Sequence, residues 1–161
     1  MRYTNIIHED FVNYRKPAMF IGTINCDGKC WRELGLPSDT CQNNDLIGCE
    51  IHMIDTFSLV ERYIRNPITE AIVFGGLEPM LQFEEVEEFI YILRRTFNNT
   101  DDVVIYTGYY PDEVQDKIEK LKSYDNIIVK FGRYVPNDKS QLDDFLGVEL
   151  SSTNQYAIKI S

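Results

Sequence analysis

Four short, mostly apolar runs, separated by stretches that suit helices, constrain the fold of this chain more than any other feature. Ala18–Thr23, 71–74, 103–106 and 127–130 have strand length and an apolar character that implies burial on both faces. Asp55 is placed to cap a helix through Phe57, Val60, Tyr63 and Ile64, and Asn66-Pro67 stops it. Phe83, Val86, Phe89, Ile90, Leu93 and Phe97 recur at steps of three and four, the spacing of one helix face. Pro111 opens a further helix through Val114, Ile118 and Leu121. From Phe131 on, the chain reads as mostly loop, with a closing strand at 156–160. Strands alternating with helices imply a parallel sheet with helical crossovers. Four or five such units are too few for an eight-fold barrel. The expectation is one α/β domain over 1–161, built as a partial, open (βα) barrel with a loop-rich tail at 131–161.

At 161 residues the chain is long enough for a proper core without disulfides. No apolar run reaches the ~20 residues of a membrane helix, and residues 1–10 lack the apolar core of a secretory signal. A cytoplasmic setting is expected, where thiols stay reduced and clustered cysteines more often bind metal or do chemistry. The net charge is −10. With no basic stripe to displace counterions from phosphates, nucleic acid is not an expected partner. The acidic runs Phe83-Glu84-Glu85-Val86-Glu87-Glu88 and Asp143-Asp144 read as solvated faces, with a docking face for a partner as the alternative.

In folds of this class, sites lie beyond the C-terminal ends of the strands. The loop 24–45 follows the first strand and carries Cys26, Cys30 and Cys41. Gly75-Gly76-Leu77-Glu78-Pro79 follows the second strand, Thr107-Gly108-Tyr109 the third, and Arg133 the fourth. All four segments therefore meet on one rim.

Thiolates gathered at a strand end suit an iron–sulfur cluster or zinc. A cluster held by three cysteines leaves one iron without a protein ligand, and an open position is what separates catalytic from structural metal sites. Two alternatives stand beside it: zinc bound by Cys26, Cys30, Cys41 and Cys49, and cysteines used only as small apolar residues. Cys49, within Ile47-Gly48-Cys49-Glu50-Ile51, reads as a core cysteine. The glycine pair permits either a tight turn or close approach of a ligand to the backbone. Strand-end carbonyls there can accept from an amino group, and Glu78 can add a carboxylate. Thr107-Gly108-Tyr109-Tyr110 is either a strand end with its turn or a polar, aromatic wall for a nucleoside or amino-acid moiety. His8 and His52 have no partner in the sequence and read as structural or surface residues. No phosphate-binding glycine loop, Ser/His/Asp signature or H-E-x-x-H pattern occurs.

Taken in order, these segments resemble a small radical S-adenosylmethionine protein, and more narrowly the activating protein of anaerobic (class III) ribonucleoside-triphosphate reductase. The similar segments are Met1-Arg2-Tyr3 with Asp10-Phe11-Val12-Asn13, Phe20-Ile21-Gly22 before the first cysteine, Cys41-Gln42-Asn43, and Val104-Ile105-Tyr106-Thr107-Gly108-Tyr109. Lys130-Phe131-Gly132-Arg133-Tyr134-Val135 and Ser151-Ser152-Thr153-Asn154-Gln155 continue the likeness into the tail. The resemblance implies a [4Fe–4S] cluster on Cys26, Cys30 and Cys41, with S-adenosylmethionine chelating the open iron. Gly75, Gly76 and Glu78 would hold the methionine part, and Thr107 and Arg133 would complete the cofactor site. It further implies an oxidoreductase that makes a 5′-deoxyadenosyl radical to install a glycyl radical on a large partner enzyme, fed by an external low-potential reductant. A small radical enzyme with another substrate, or a non-catalytic iron–sulfur, zinc-binding or electron-transfer module, are the alternatives. The family spaces its cysteines C-x-x-x-C-x-x-C. Here ten residues, Trp31 to Thr40, lie between Cys30 and Cys41, and Leu77 separates the glycine pair from Glu78.

Overall fold

The computed structural model describes residues 1–161. The chain opens with the short strand β1 (Arg2–Tyr3), then β2 (Ile6–Asp10) and β3 (Ala18–Thr23). After β3 come the single-turn helix α1 (Lys29–Arg32), β4 (His52–Met53), α2 (Thr56–Ile64) and β5 (Ala71–Gly76). The second half contains α3 (Phe83–Tyr91), β6 (Asp102–Tyr106), α4 (Gln115–Leu121), β7 (Ile127–Phe131), β8 (Gln141–Asp143), β9 (Val148–Leu150) and β10 (Tyr156–Lys159).

Six strands form one sheet in the order β10-β7-β6-β5-β3-β2. The four inner strands run parallel, as the alternation of apolar runs and helices required. Both edges, β2 on β3 and β10 on β7, are antiparallel. The fold is therefore mixed α/β around a mostly parallel sheet. Two further ribbons, β1 with β4 and β8 with β9, stand outside it.

Period-two alternation divides the inner strands between two cores. Met19, Ile21, Ile72, Phe74, Val103, Ile105, Val129 and Phe131 pack with Leu59, Tyr63, Phe89, Leu93 and Leu121 of the helical layer. Phe74 meets Phe89 edge-on at 5.3 Å. The opposite face is built from Ala18, Ala71, Val73, Val104 and Ile128, covered by Tyr14, Leu146 and Leu150. Each fully buried aliphatic or aromatic side chain contributes roughly 1.5–3 kcal/mol, so the two cores together dominate the fold.

Helix starts follow their sequence signals closely. Asp55 caps α2 by accepting from the Ser58 amide at 2.8 Å, a contact that stabilises a helix by about 1 kcal/mol. Pro111 opens one tight turn, Pro111–Glu113, and α4 begins only at Gln115. Beyond α3 the helix widens into a π-helical turn, Ile92–Thr96. There the buried Arg94 donates to the carbonyls of Asp125, Asn99 and Asp101 at 2.8–3.0 Å.

Two expectations change. The glycine pair does not follow β5 but forms its last two residues, paired in register with Gly22 and Thr23. The tail, expected to be mostly loop, carries the β8–β9 hairpin as well as the anticipated edge strand. Strands of three residues are too short to show periodicity in a sequence.

Candidate functional site

A cavity of about 520 Å³ lies beyond the C-terminal ends of β3, β5, β6 and β7. Cys26, Cys30, Cys41, Gly75, Gly76, Glu78 and Thr107 all line it. Seven of the eight residues singled out in the sequence thus converge on one space. Arg133 is absent from that lining.

The cysteine loop is held by local geometry. Gly28 adopts φ 70, and its amide points to Cys26 Sγ at 3.3 Å. The Trp31 ring packs so closely on Gly28 that a Cβ there would sit 2.6 Å from it. Cys30 rides on α1. The long Cys30–Cys41 segment folds as the end of α1 followed by a tight turn at Ser38–Thr40, which delivers Cys41 back to Cys30. Hydrogen bonding from the Cys30 thiol draws Cys41 down to about 6 and holds Cys30 well above the usual thiol range. Desolvation raises Cys26.

Cys49 corrects an expectation. It is exposed, not buried in the core, and its thiol contacts the Asp45 carbonyl at 3.0 Å. Its apolar neighbours Ile47 and Ile51 are themselves about half exposed, so local hydrophobicity there does not mark the interior. Cys49 does not line the cavity, so the structure does not assemble the four-cysteine zinc set. No three His, Cys, Asp or Glu side chains lie close enough to share a single ion. Three free thiols spread around one cavity suit a cluster, whose thiolates bind separate iron corners. His8 and His52 are both exposed, as expected.

Glu78 also lines the cavity. It is 6% exposed, and its carboxylate accepts from Thr107 Oγ1 at 2.7 Å, the Gly108 amide at 2.8 Å and the Met80 amide at 3.0 Å. Burial pushes its carboxyl upward, against the pull of those three donors. Gly75 and Gly76 already have partners for their carbonyls. Thr23 Oγ1 donates to Gly75 at 2.9 Å, and Asn43 Nδ2, from the cysteine loop, donates to Gly76 at 2.6 Å. The parallel pairing also commits the Gly75 carbonyl to the Thr23 amide, so it is the Gly76 carbonyl that keeps a second lone pair for a ligand.

Arg133 serves the loop from behind. Its guanidinium binds Glu113 with both terminal nitrogens and reaches Glu33 at 2.8 Å. Lys29 Nζ completes the group, 2.7 Å from Glu113. Tyr109 donates to Asp27 at 2.6 Å. These contacts tie residues 27–33, around Cys30, to the segments after β6 and β7. No local pattern announces them, because the partners lie far apart in the chain. Lys130, another cavity residue, was visible only as a charge closing an apolar strand.

A family model described as a 4Fe-4S single cluster domain matches residues 37–157, about three quarters of the chain. The match includes Cys41, the glycine pair, Glu78 and Thr107, and begins after Cys30. Comparison with curated proteins and with solved structures gave no match. No helix is long and apolar enough to cross a membrane.

Proposed function

The chain belongs to the 4Fe-4S single cluster domain family, and from that premise we propose that it is a radical S-adenosylmethionine activase acting on a large glycyl-radical enzyme, an anaerobic ribonucleotide reductase. The family is one associated with radical S-adenosylmethionine-type proteins. The observation that carries the reading is the shared cavity: three thiols, a glycine strand end and a buried acid line one space.

In this reading Cys26, Cys30 and Cys41 hold a [4Fe–4S] cluster. Bound there, such a cluster would supply the electron for reductive cleavage of S-adenosylmethionine. The residues of the chain bind and orient. Glu78 and the Gly76 carbonyl receive the cofactor's amino group, and Gly75 lets the cofactor approach the strand end. Thr107 fixes the Glu78 carboxylate. Asn43 ties the cysteine loop to Gly76, so the two halves of the site keep one spacing. Arg133 acts through Glu33 and Glu113 as a positioning residue for the loop. We read the sheet as an open (βα) barrel, the setting as cytoplasmic, and the electron donor as an external low-potential protein.

The test is anaerobic reconstitution with iron and sulfide, followed by S-adenosylmethionine and dithionite. Release of 5′-deoxyadenosine supports the reading, and a glycyl-radical EPR doublet on an added large reductase completes it. A stable, reducible cluster with no such release favours an electron-transfer module.

A further inference from the structure

β2 closes one end of the six-stranded sheet, and its outer edge has no strand beside it. Its backbone bonds only to β3, apart from one long contact in which Asn66 Nδ2 donates to the His8 carbonyl at 3.3 Å. Asn66 follows α2, so the C-terminal end of that helix lies against the free edge. Ile6 packs toward the helical layer, and His8, two residues on, shares that side. There His8 joins Ser58, Glu61, Arg62, Arg65 and Asn66 in lining a groove of about 540 Å³, with no apolar side chain among the six.

The charge of the groove runs against that of the chain. The net charge is −10, yet the groove holds two guanidiniums and one carboxylate. Glu61 is already bound by Arg65 at 2.7 Å, and Arg62 is exposed and belongs to no ion pair. An unpaired edge is a template for one more strand. In such an addition main-chain bonds supply affinity and alternate side chains supply selectivity. An incoming amide would take the His8 carbonyl from Asn66. Side chains on one face of the added strand would meet Arg62 and Arg65, and those on the other would meet Ile7, which is 42% exposed. The register shift between Ile7 and Asp10 confines the pairing to a short stretch around Ile6–His8.

We propose that the β2–α2 groove docks an extended acidic segment of a partner protein, with carboxylates toward Arg62 and Arg65 and aliphatic side chains toward Ile7. A second copy of this chain does not supply that segment. Its acidic run Glu84–Glu88 is wound into α3, and Asp143 is already paired within the β8–β9 hairpin. No residue of the groove lines the cysteine cavity, so the docking site does not depend on the function proposed above.

The experiment uses the full chain and three labelled peptides, followed by fluorescence anisotropy at low salt. One alternates Glu and Val, the second alternates Lys and Val, and the third is the Glu–Val peptide with its internal amides N-methylated. Only the unmethylated Glu–Val peptide should bind, and it should slow hydrogen exchange at the β2 amides. Arg62→Ala combined with Arg65→Ala should weaken that binding roughly 3–10-fold. Both arginines are exposed, so the variant should keep its fold. If the N-methylated peptide binds as well as its parent, the added strand is wrong and the groove is a charged surface only. If the Glu–Val peptide does not bind, or binds the double variant as tightly as wild type, the docking site is overturned.

Discussion

Arg133 holds Glu113 through a two-pronged contact, Nη1 to Oε2 at 2.8 Å and Nη2 to Oε1 at 2.6 Å. That fork sits behind the cysteine loop and draws Glu33 and Lys29 into one charged group. The hydrogen bonds from Arg133 hold the Glu113 carboxyl down at about 2, against an ordinary 4.5. A carboxyl depressed by folding contributes stability above its unfolded value and loses it as pH falls toward the folded one. The contribution is therefore complete above pH 4.5 and gone near pH 2. Glu113→Gln should destabilise the protein by about 1–3 kcal/mol at pH 6. The gap between the two urea midpoints should shrink steadily between pH 4.5 and pH 2. A gap that stays constant across that range would show that the fork carries no charge-dependent stability.

Thr107 and Glu78 form the second rigid contact of the site. Thr107→Val keeps the shape of the side chain and removes one of three donors from a buried carboxylate. The loss should be about 1–3 kcal/mol in stability. The Glu78 carboxyl, already raised by burial, should move further up. Thermal melts at pH 7 and carboxyl-region infrared titration would measure the two effects. An unchanged titration would mean that Thr107 only fills space.

The parallel core was legible in the sequence because its strands are buried on both faces and its helices carry clean apolar stripes. β2 was not: it is an edge strand with exposed Ile7, His8 and Glu9, so it lacks both a continuous run and a clear alternation. The rim residues were legible for a topological reason, since loops after parallel strands must meet at one end. What the sequence hid were relationships across distance. Arg133 and Glu33 are 100 residues apart, so the guanidinium read as a cofactor ligand when its partners are the protein's own acids. Lys130 was hidden differently. A lysine closing an apolar run carries no local mark of burial, yet it is 6% exposed, and Gln155 of the tail donates to the nearby Gly132 carbonyl at 3.3 Å.

Gly76 and Gly35 both have positive φ, +81 and +64, but their surroundings differ. A Cβ on Gly76 would lie 3.2 Å from the Gly22 backbone, whereas one on Gly35 would meet nothing within 4 Å. Gly35→Ala should lose only the backbone preference, about 1–2 kcal/mol. Gly76→Ala should lose that amount plus the separation of β3 and β5, and should displace the Asn43 contact that ties the loop to the strand. Iron content after reconstitution should fall in Gly76→Ala and hold in Gly35→Ala. Equal iron content in the two would show that the Asn43 link does not govern the loop.

Removal of each thiol separates ligand from bystander. Cys26→Ala, Cys30→Ala and Cys41→Ala should each abolish formation of an oxygen-labile brown chromophore, measured as iron and sulfide per chain and by absorbance. Cys49→Ala should reconstitute like wild type, because Cys49 is exposed and outside the cavity. Loss of iron in Cys49→Ala with retention in Cys41→Ala would reverse the assignment of the third ligand.

Lys130 also makes a prediction for stability with no ligand present. Burial pulls its ammonium down to about 8, from an ordinary 10.5, and the nearby Glu78 charge only partly opposes this. Between those two values the unfolded chain holds a proton that the folded chain has released, so stability from this group rises with pH across the window. Below pH 8 the folded protein carries the charged form at a penalty of roughly 3 kcal/mol. Lys130→Met removes that penalty and fills the same volume. The variant should therefore melt at a higher temperature than wild type at pH 7, with the difference narrowing as pH approaches 10. Referring each measurement to wild type at the same pH cancels the titration of cysteines and tyrosines common to both chains. A variant that is less stable at pH 7 would show that the ammonium already has a compensating partner within the fold.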